Sequence, residues 1–270
     1  MSFTVTDIKP NIGADIKADK ETLLSGRYAE DIRQILEKRG VFVIREINFS
    51  DEEQLAFTKT LGKVIDEGPG GVYKVTLDTD LNAQADYLKG AFYWHMDGAT
   101  LEVPILASLL NGKKPSETGG NTEFCNTYAA FEDLSDEDKE VYSKLRVRHT
   151  FINAQEYVYP EPTDEQLAMW KVVPSRTHPL VWTHASGRNS LVIGSTATYI
   201  EGMDYEESRH ILHKLFNHAT KPEYVYSHKW TKGDLVVWDN TGTLHRATEY
   251  PLDSGRVMHR TKLEGEEPIA

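Results

Sequence analysis

An imidazole and a carboxylate two residues apart, in Phe92-Tyr93-Trp94-His95-Met96-Asp97-Gly98, constrain this chain more than any other feature. Side chains of an extended strand alternate between its faces, so His95 and Asp97 project to the same side. Two converging ligands hold a metal only loosely. Divalent iron bound by two imidazoles and one carboxylate on a single triangular face keeps positions open for cosubstrate and oxygen, and it needs a second histidine from elsewhere in the chain. His245, in Trp238-Asp239-Asn240-Thr241-Gly242-Thr243-Leu244-His245-Arg246-Ala247, is the candidate. His-x-Asp alone equally describes an exposed pair at a strand end, so the weight falls on the residues beyond the second histidine.

Arg256 stands eleven residues after His245, and Arg260 four after that, in Arg256-Val257-Met258-His259-Arg260-Thr261-Lys262-Leu263. On a strand running back beside the His245 segment, this even separation turns both guanidinium groups the same way. Open metal positions facing two planar forks that bind carboxylates bidentately and keep their charge indicate a site for two anions. Together these residues resemble the taurine and 2,4-dichlorophenoxyacetate dioxygenase family, which depends on iron(II) and 2-oxoglutarate. The resemblance runs from about Ile12 to Leu263. It is strongest in Gly119-Gly120-Asn121-Thr122-Glu123-Phe124-Cys125, in Pro179-Leu180-Val181-Trp182-Thr183-His184 and in Gly233-Asp234-Leu235-Val236-Val237-Trp238-Asp239-Asn240.

The resemblance implies Fe(II) held by His95, Asp97 and His245 as the catalytic centre, with 2-oxoglutarate and O2 as cosubstrates. It assigns the distal carboxylate of 2-oxoglutarate to Arg256 and Thr122, and the anionic group of the substrate to Arg260. Thr122 lies 27 residues after His95, the family's usual spacing. The implied reaction hydroxylates a small carboxylate or sulfonate and yields succinate and CO2. A product hydroxylated beside an ether oxygen or a sulfonate falls apart. The phrases at Thr122 to Cys125 and Pro179 to His184 stand closer to the 2,4-dichlorophenoxyacetate type, which favours an aryloxy or other apolar-bodied acid with Phe92 or Tyr93 as wall candidates. The stretch from Asp66 to Gly90 matches neither type, so oxidation of an amino-acid-derived biosynthetic intermediate stays open. A zinc hydrolase would leave Arg256 and Arg260 without a task. A non-catalytic anion-binding jelly roll would not need the three metal ligands, and a related halogenase lacks the carboxylate that Asp97 supplies.

No Pro/Gly/Ser-rich linker divides the 270 residues, which are expected to form a single domain over 1–270. A hydrophobic fraction of 39% and a charged fraction of 27% permit a sizeable core. The net charge of −12 argues against nucleic acid as a partner and leaves an anion pocket to a few arginines. One cysteine, Cys125, excludes an internal disulfide and fits a reducing compartment. With no signal-like start and no long apolar segment, the expectation is a cytoplasmic protein without a membrane partner. Assembly into a homo-oligomer is left open.

Apolar spacing predicts a helix over Tyr28 to Lys38, stopped at Gly40 and feeding an apolar strand at Val41 to Ile44. Ser50 and Glu53 form a capping-box pattern before a second helix. Further helices are expected within Thr127 to Leu145 and over Asp204 to Thr220. The histidines of the latter, His210, His213 and His218, read as solvent-exposed. Tyr224 to Trp230 and Leu235 to Asn240 read as a hairpin closed by Thr231 to Asp234. Residues 66–90 have little periodicity and read as an active-site lid, and 153–172 as an insert over the sheet. His149 reads as a structural hydrogen-bonding group. Many short strands with covering helices point to a mostly β fold, a double-stranded β-helix or jelly roll with the metal at its mouth.

Overall fold

In the computed structural model, which describes residues 3–82 and 85–270, the strands are β1 (Thr4–Asp7), β2 (Ala14–Lys17), β3 (Val41–Ile44), β4 (Val64–Ile65), β5 (Tyr73–Val75), β6 (Ala107–Lys114), β7 (Thr122–Asn126) and β8 (Arg146–His149). They continue with β9 (Arg176–Pro179), β10 (Val181–Thr183), β11 (Asn189–Leu191), β12 (Ala197–Ile200), β13 (Val225–His228), β14 (Leu235–Asp239), β15 (Thr243–Ala247) and β16 (Val257–Leu263). The largest sheet has the order β1-β2-β3-β14-β6-β16-β4, and β5 also pairs with β16. All its pairings are antiparallel except that of β2 with β3. Strands β13-β7-β15 form a second sheet, β12-β8-β9 a third, and β10 pairs with β11 alone.

The runs Val41-Phe42-Val43-Ile44 and Leu235-Val236-Val237-Trp238 show no polar alternation because both faces of their sheet are covered. Phe42, Ile44, Leu235 and Val237 pack against helices α1 (Lys20–Leu24), α2 (Ala29–Arg39) and α3 (Asp51–Leu61), through Leu23, Ile32, Leu36, Phe57 and Leu61. Val41, Val43, Val236 and Trp238 face the other way, onto Phe124 of β7 and Tyr226 of β13. The second sheet therefore lies over the inner face of the first. Helix α2 ends at Gly40, whose φ of 72° is strained for any residue with a Cβ. Helix α3 opens with the expected capping box: the Ser50 hydroxyl accepts from the Glu53 amide, and the Glu53 carboxylate accepts from the Ser50 amide.

Strands β13 and β14 do not form a hairpin. The turn at Thr231 to Asp234 carries the chain from the second sheet, where β13 pairs with β7, to the first, where β14 lies between β3 and β6. The turn is tied down by the fully buried Asp234 carboxylate, which accepts from the Thr231 and Glu46 amides and from His228. Turn chemistry specifies a reversal of direction, and it does not specify which sheet receives the returning strand.

Residues 66–90 hold more order than their pattern indicated; positions 83 and 84 of that stretch lie outside the described residues. Strands β4 and β5 lie along the same side of β16, with Ile65 opposite Lys262 and Tyr73 opposite Arg260, and residues 66–72 leave the ladder between them. A 3-10 helix follows at Ala85–Phe92.

Downstream come α4 (Thr127–Glu132), α5 (Asp136–Tyr142), α6 (Phe151–Glu156), α7 (Asp164–Lys171) and α8 (Tyr205–Ala219). Residues 153–172 thus carry most of two short helices. On α8, His210 and His213 are exposed, whereas His218 is half-buried and donates to the Ala130 carbonyl at 2.7 Å. Among the described residues no helix is long and apolar enough to cross a membrane.

Phe42, with no exposed surface, packs at the centre of the helix-covered face, while Val5 on edge strand β1 is 39% exposed. Phe42→Ala is expected to lower the unfolding free energy by about 3–5 kcal/mol. Val5→Ala should change it by no more than about 0.5 kcal/mol, both read from urea denaturation midpoints.

Candidate active site

His95 belongs to no strand. It forms an isolated antiparallel bridge with His245, in which each residue's amide donates to the other's carbonyl, at 3.0 and 2.9 Å. Such a directly opposed pair turns both side chains to one face, and the imidazole centroids are 4.1 Å apart. On its far side His245 is paired with Phe124 of β7. Next to His95, a Cβ at Gly194 would lie 3.1 Å from the Trp94 carbonyl oxygen and 3.4 Å from the His95 Cα, so glycine permits the close approach there. The Ser195 amide fixes that approach by donating to the Trp94 carbonyl at 2.8 Å. The chain then turns at Gly98, with φ +86°, immediately after Asp97.

One ligand atom from each of His95, Asp97 and His245 lies within 4.8 Å of the others. His95 Nε2 and His245 Nε2 stand 3.7 and 3.9 Å from Asp97 Oδ1. His95 Nδ1 lies 2.8 Å from the Tyr93 carbonyl, which can only accept. The proton therefore sits on Nδ1, and the Nε2 lone pair is left for a metal. The Asp97 oxygens are divided between two tasks. Oδ1 faces the histidines, while Oδ2 accepts from Ser108 Oγ at 3.3 Å and has Lys262 Nζ at 3.5 Å and Arg260 Nη1 at 3.9 Å. Burial pushes the Asp97 carboxyl up, but Lys262, His245, Arg260 and His95 outweigh it and hold the group well below the usual carboxylate range. Burial, then His95, pushes the His245 imidazole well below its ordinary value, leaving it neutral and able to ligate.

The Trp238-Asp239-Asn240 phrase supports this arrangement. Trp238 packs on the His245 ring at 4.7 Å and donates to Asn240 Oδ1, and Asn240 in turn donates to Ser108. Asp239 takes no part in the ligand set. Burial pushes its carboxyl up to about 6, and it accepts from the Thr241 amide and hydroxyl and from Tyr128.

The three residues open onto a cavity of about 270 Å³ that Thr122, Arg256 and Arg260 also line. Arg256 is 4% exposed and sits 5.0 Å over the Tyr250 ring. Its Nε is buried without a hydrogen-bond partner among the described residues. Thr122 Oγ accepts from Trp230 Nε1 at 3.0 Å, which leaves the hydroxyl hydrogen to be donated elsewhere. Arg260 lies 4.9 Å over the Tyr73 ring, with Nη2 3.3 Å from Glu67 Oε1. Apolar walls come from Val75, Leu88, Met96, Leu110 and Phe151. Phe92 and Tyr93 are not among them; they pack on Tyr250 and Tyr157. His149 is fully buried and paired with Thr196 Oγ at 2.9 Å.

The two arginines do share a cavity, but only Arg260 is on β16, Arg256 standing one residue before it, and that strand does not run beside the His245 segment. β16 belongs to the first sheet and β15 to the second, so the two chain segments face each other across the cavity. Two charged residues escaped the sequence reading. Lys262, 7% exposed, stands beside both Asp97 and Glu67. Its even spacing from Arg260 was the available signal, since both side chains must leave the same face of one strand. Glu67 had no signal, because residues 66–72 reach Arg260 only by leaving the ladder.

Similarity to known proteins agrees with this geometry. The family model described as "Taurine catabolism dioxygenase TauD, TfdA family" matches residues 4–262. An alpha-ketoglutarate-dependent 2,4-dichlorophenoxyacetate dioxygenase of Cupriavidus pinatubonensis is 31% identical, over 96% of this chain and 97% of that enzyme. An alpha-ketoglutarate-dependent sulfate ester dioxygenase of Pseudomonas putida is 28% identical, over 100% of this chain and 92% of that enzyme. The crystal structure of AAD-2 in complex with Mn(II) and N-oxalylglycine superposes with a TM-score of 0.86 at 32% identity, covering 100% of both chains. With His95, Asp97 and His245 gathered at one cavity and a match over nearly its whole length, the chain belongs to the TauD/TfdA dioxygenase family.

Proposed function

We propose that this chain is an Fe(II)- and 2-oxoglutarate-dependent dioxygenase that hydroxylates a small carboxylate- or sulfonate-bearing substrate with an apolar body. The observation that carries the reading is one cavity shared by three metal-ligating atoms and a buried guanidinium whose Nε lacks an acceptor among the described residues. Two imidazole nitrogens and one carboxylate oxygen suit iron(II) and leave other coordination positions open. A buried guanidinium with an unsatisfied Nε–H is costly, and the carboxylate of a bound diacid would satisfy it. AAD-2, similar over its full length, was crystallised with a metal and such a diacid together.

In this reading His95, Asp97 and His245 hold the iron, and Arg256 with the Thr122 hydroxyl holds the distal carboxylate of 2-oxoglutarate. Bound iron and cosubstrate supply the oxidation, in which one atom of O2 enters a substrate C–H bond as hydroxyl and the other enters succinate as CO2 leaves. The chain contributes position and dryness. Lys262, Ser108 and Arg260 hold Asp97 Oδ2 so that Oδ1 alone faces the histidines. Arg260 receives the substrate anion, and Val75, Leu88 and Phe151 exclude water from its apolar body. Relatives named for 2,4-dichlorophenoxyacetate, (S)-phenoxypropionate and sulfate esters support an acid whose hydroxylated product breaks at a neighbouring C–O bond. The chain would be one cytoplasmic domain over 1–270 with a double-stranded β-helix core, residues 66–90 covering the cavity and 153–172 inserted beside it.

Succinate formation from 2-oxoglutarate should require added iron(II), and Asp97→Ala should reduce it on the order of 100-fold or more, beyond what losing an outer-shell partner costs. Iron-independent turnover, or an active Asp97→Ala, would sink the assignment. Arg256→Ala should raise the KM for 2-oxoglutarate by one to two orders of magnitude, because a charge-assisted bidentate pair contributes roughly 1.5–3 kcal/mol. An unchanged KM would remove Arg256 from the cosubstrate site.

A further inference from the structure

Arg260, the residue assigned to the substrate anion, already faces two carboxylates. Its Nη1 lies 3.9 Å from Asp97 Oδ2, and its Nη2 lies 3.3 Å from Glu67 Oε1. Glu67 Oε1 is closer still to Lys262 Nζ, at 3.0 Å, and Lys262 reaches Asp97 Oδ2 at 3.5 Å. Two carboxylates and two cations thus form a closed group of zero net charge before any substrate arrives.

The pairing of Glu67 with Arg260 is incomplete on both sides. Arg260 Nε and Glu67 Oε2 are both buried and neither has a hydrogen-bond partner among the described residues. A guanidinium offers Nε–H and Nη2–H on one edge, matched to the two oxygens of one carboxylate. Glu67 uses only the Nη2 half of that edge. A better-placed carboxylate would use both.

From this we infer that Glu67 is a specificity-determining residue: a resident counter-anion on Arg260, which a substrate carboxylate or sulfonate replaces while Glu67 keeps its contact with Lys262. The inference rests on the assignment of Arg260 to the substrate anion. Lys262 makes the exchange feasible, since Glu67 need not cross into solvent or remain a bare buried charge when it gives up Arg260. An entering monoanion supplies the one negative charge that Glu67 withdraws from the guanidinium. A neutral ligand, or one with a single weak acceptor, cannot displace Glu67. The residue therefore sets a threshold against uncharged molecules that fit the apolar walls equally well, a selection made by a group already present in the site.

The test is calorimetric titration of protein loaded with Mn(II) and N-oxalylglycine, using acetate, benzoate and phenoxyacetate as monoanions and 2-phenoxyethanol as the uncharged counterpart. Wild type is compared with Glu67→Gln, Arg260→Gln and the double variant. Glu67→Gln should bind the monoanions about 3- to 10-fold more tightly, because the competing charge is gone while the shape is kept. Affinity for 2-phenoxyethanol relative to phenoxyacetate should fall accordingly, and the gain should vanish in the double variant. A gain in affinity cannot arise from misfolding. Monoanion binding seen only after Glu67→Gln supports the same conclusion in its strongest form. Equal or weaker binding by Glu67→Gln, with Arg260→Gln also weakened, overturns the competition while leaving Arg260 as the anion site. Binding indifferent to Arg260→Gln, or no monoanion binding in wild type and Glu67→Gln alike, overturns both.

Discussion

The reciprocal backbone bridge between His95 and His245 is the interaction on which the rest of the site depends. Backbone amides and carbonyls are obligatory hydrogen-bonding groups, and here two of each are satisfied between segments far apart in sequence. The bridge sets the direction of both imidazoles, and everything else refines it. Strand β7 supports His245 from one side, and the Gly194-Ser195 approach supports His95 from the other. A ligand pair held by main chain in this way needs little from its side chains beyond the correct rotamer.

The cavity treats its two arginines differently, and the difference follows from burial. Arg256 is almost wholly enclosed, and burial lowers its pKa against the opposing pull of Tyr250, with no salt-bridged carboxylate among the described residues. Arg260 is more open and is surrounded by Glu67, Asp97 and the Tyr73 ring. Arg256 Nε has no hydrogen-bond partner among the described residues, whereas Arg260 is paired with carboxylates of the protein itself.

The parts legible in the sequence were those governed by local periodicity. His95 and Asp97, two apart, had to share a side; Arg260 and Lys262, two apart on β16, had to share a strand face; and unbroken apolar runs at Val41 to Ile44 and Leu235 to Trp238 marked strands covered on both faces. Decisions made by tertiary path were not legible. Nothing local to Thr231 to Asp234 says that the strand after the turn joins a different sheet from the strand before it. Lys262 resembled an ordinary surface lysine until the strand was seen to face Asp97. Glu67 sits in a stretch without pattern, and its position depends on an edge strand being interrupted and resumed.

That interruption has an evolutionary consequence. Residues 66–72 are pinned where they leave β16, opposite Lys262, and where they return, opposite Arg260. Because loop closure costs rise only slowly with length, insertions and replacements between those anchors disturb the ladder little. The excursion is thus an exchangeable cassette mounted on the strand that bears Arg260 and Lys262. A change in the acid accepted could be made by rewriting it, while His95, Asp97 and His245 stand on other segments of the chain and need not move.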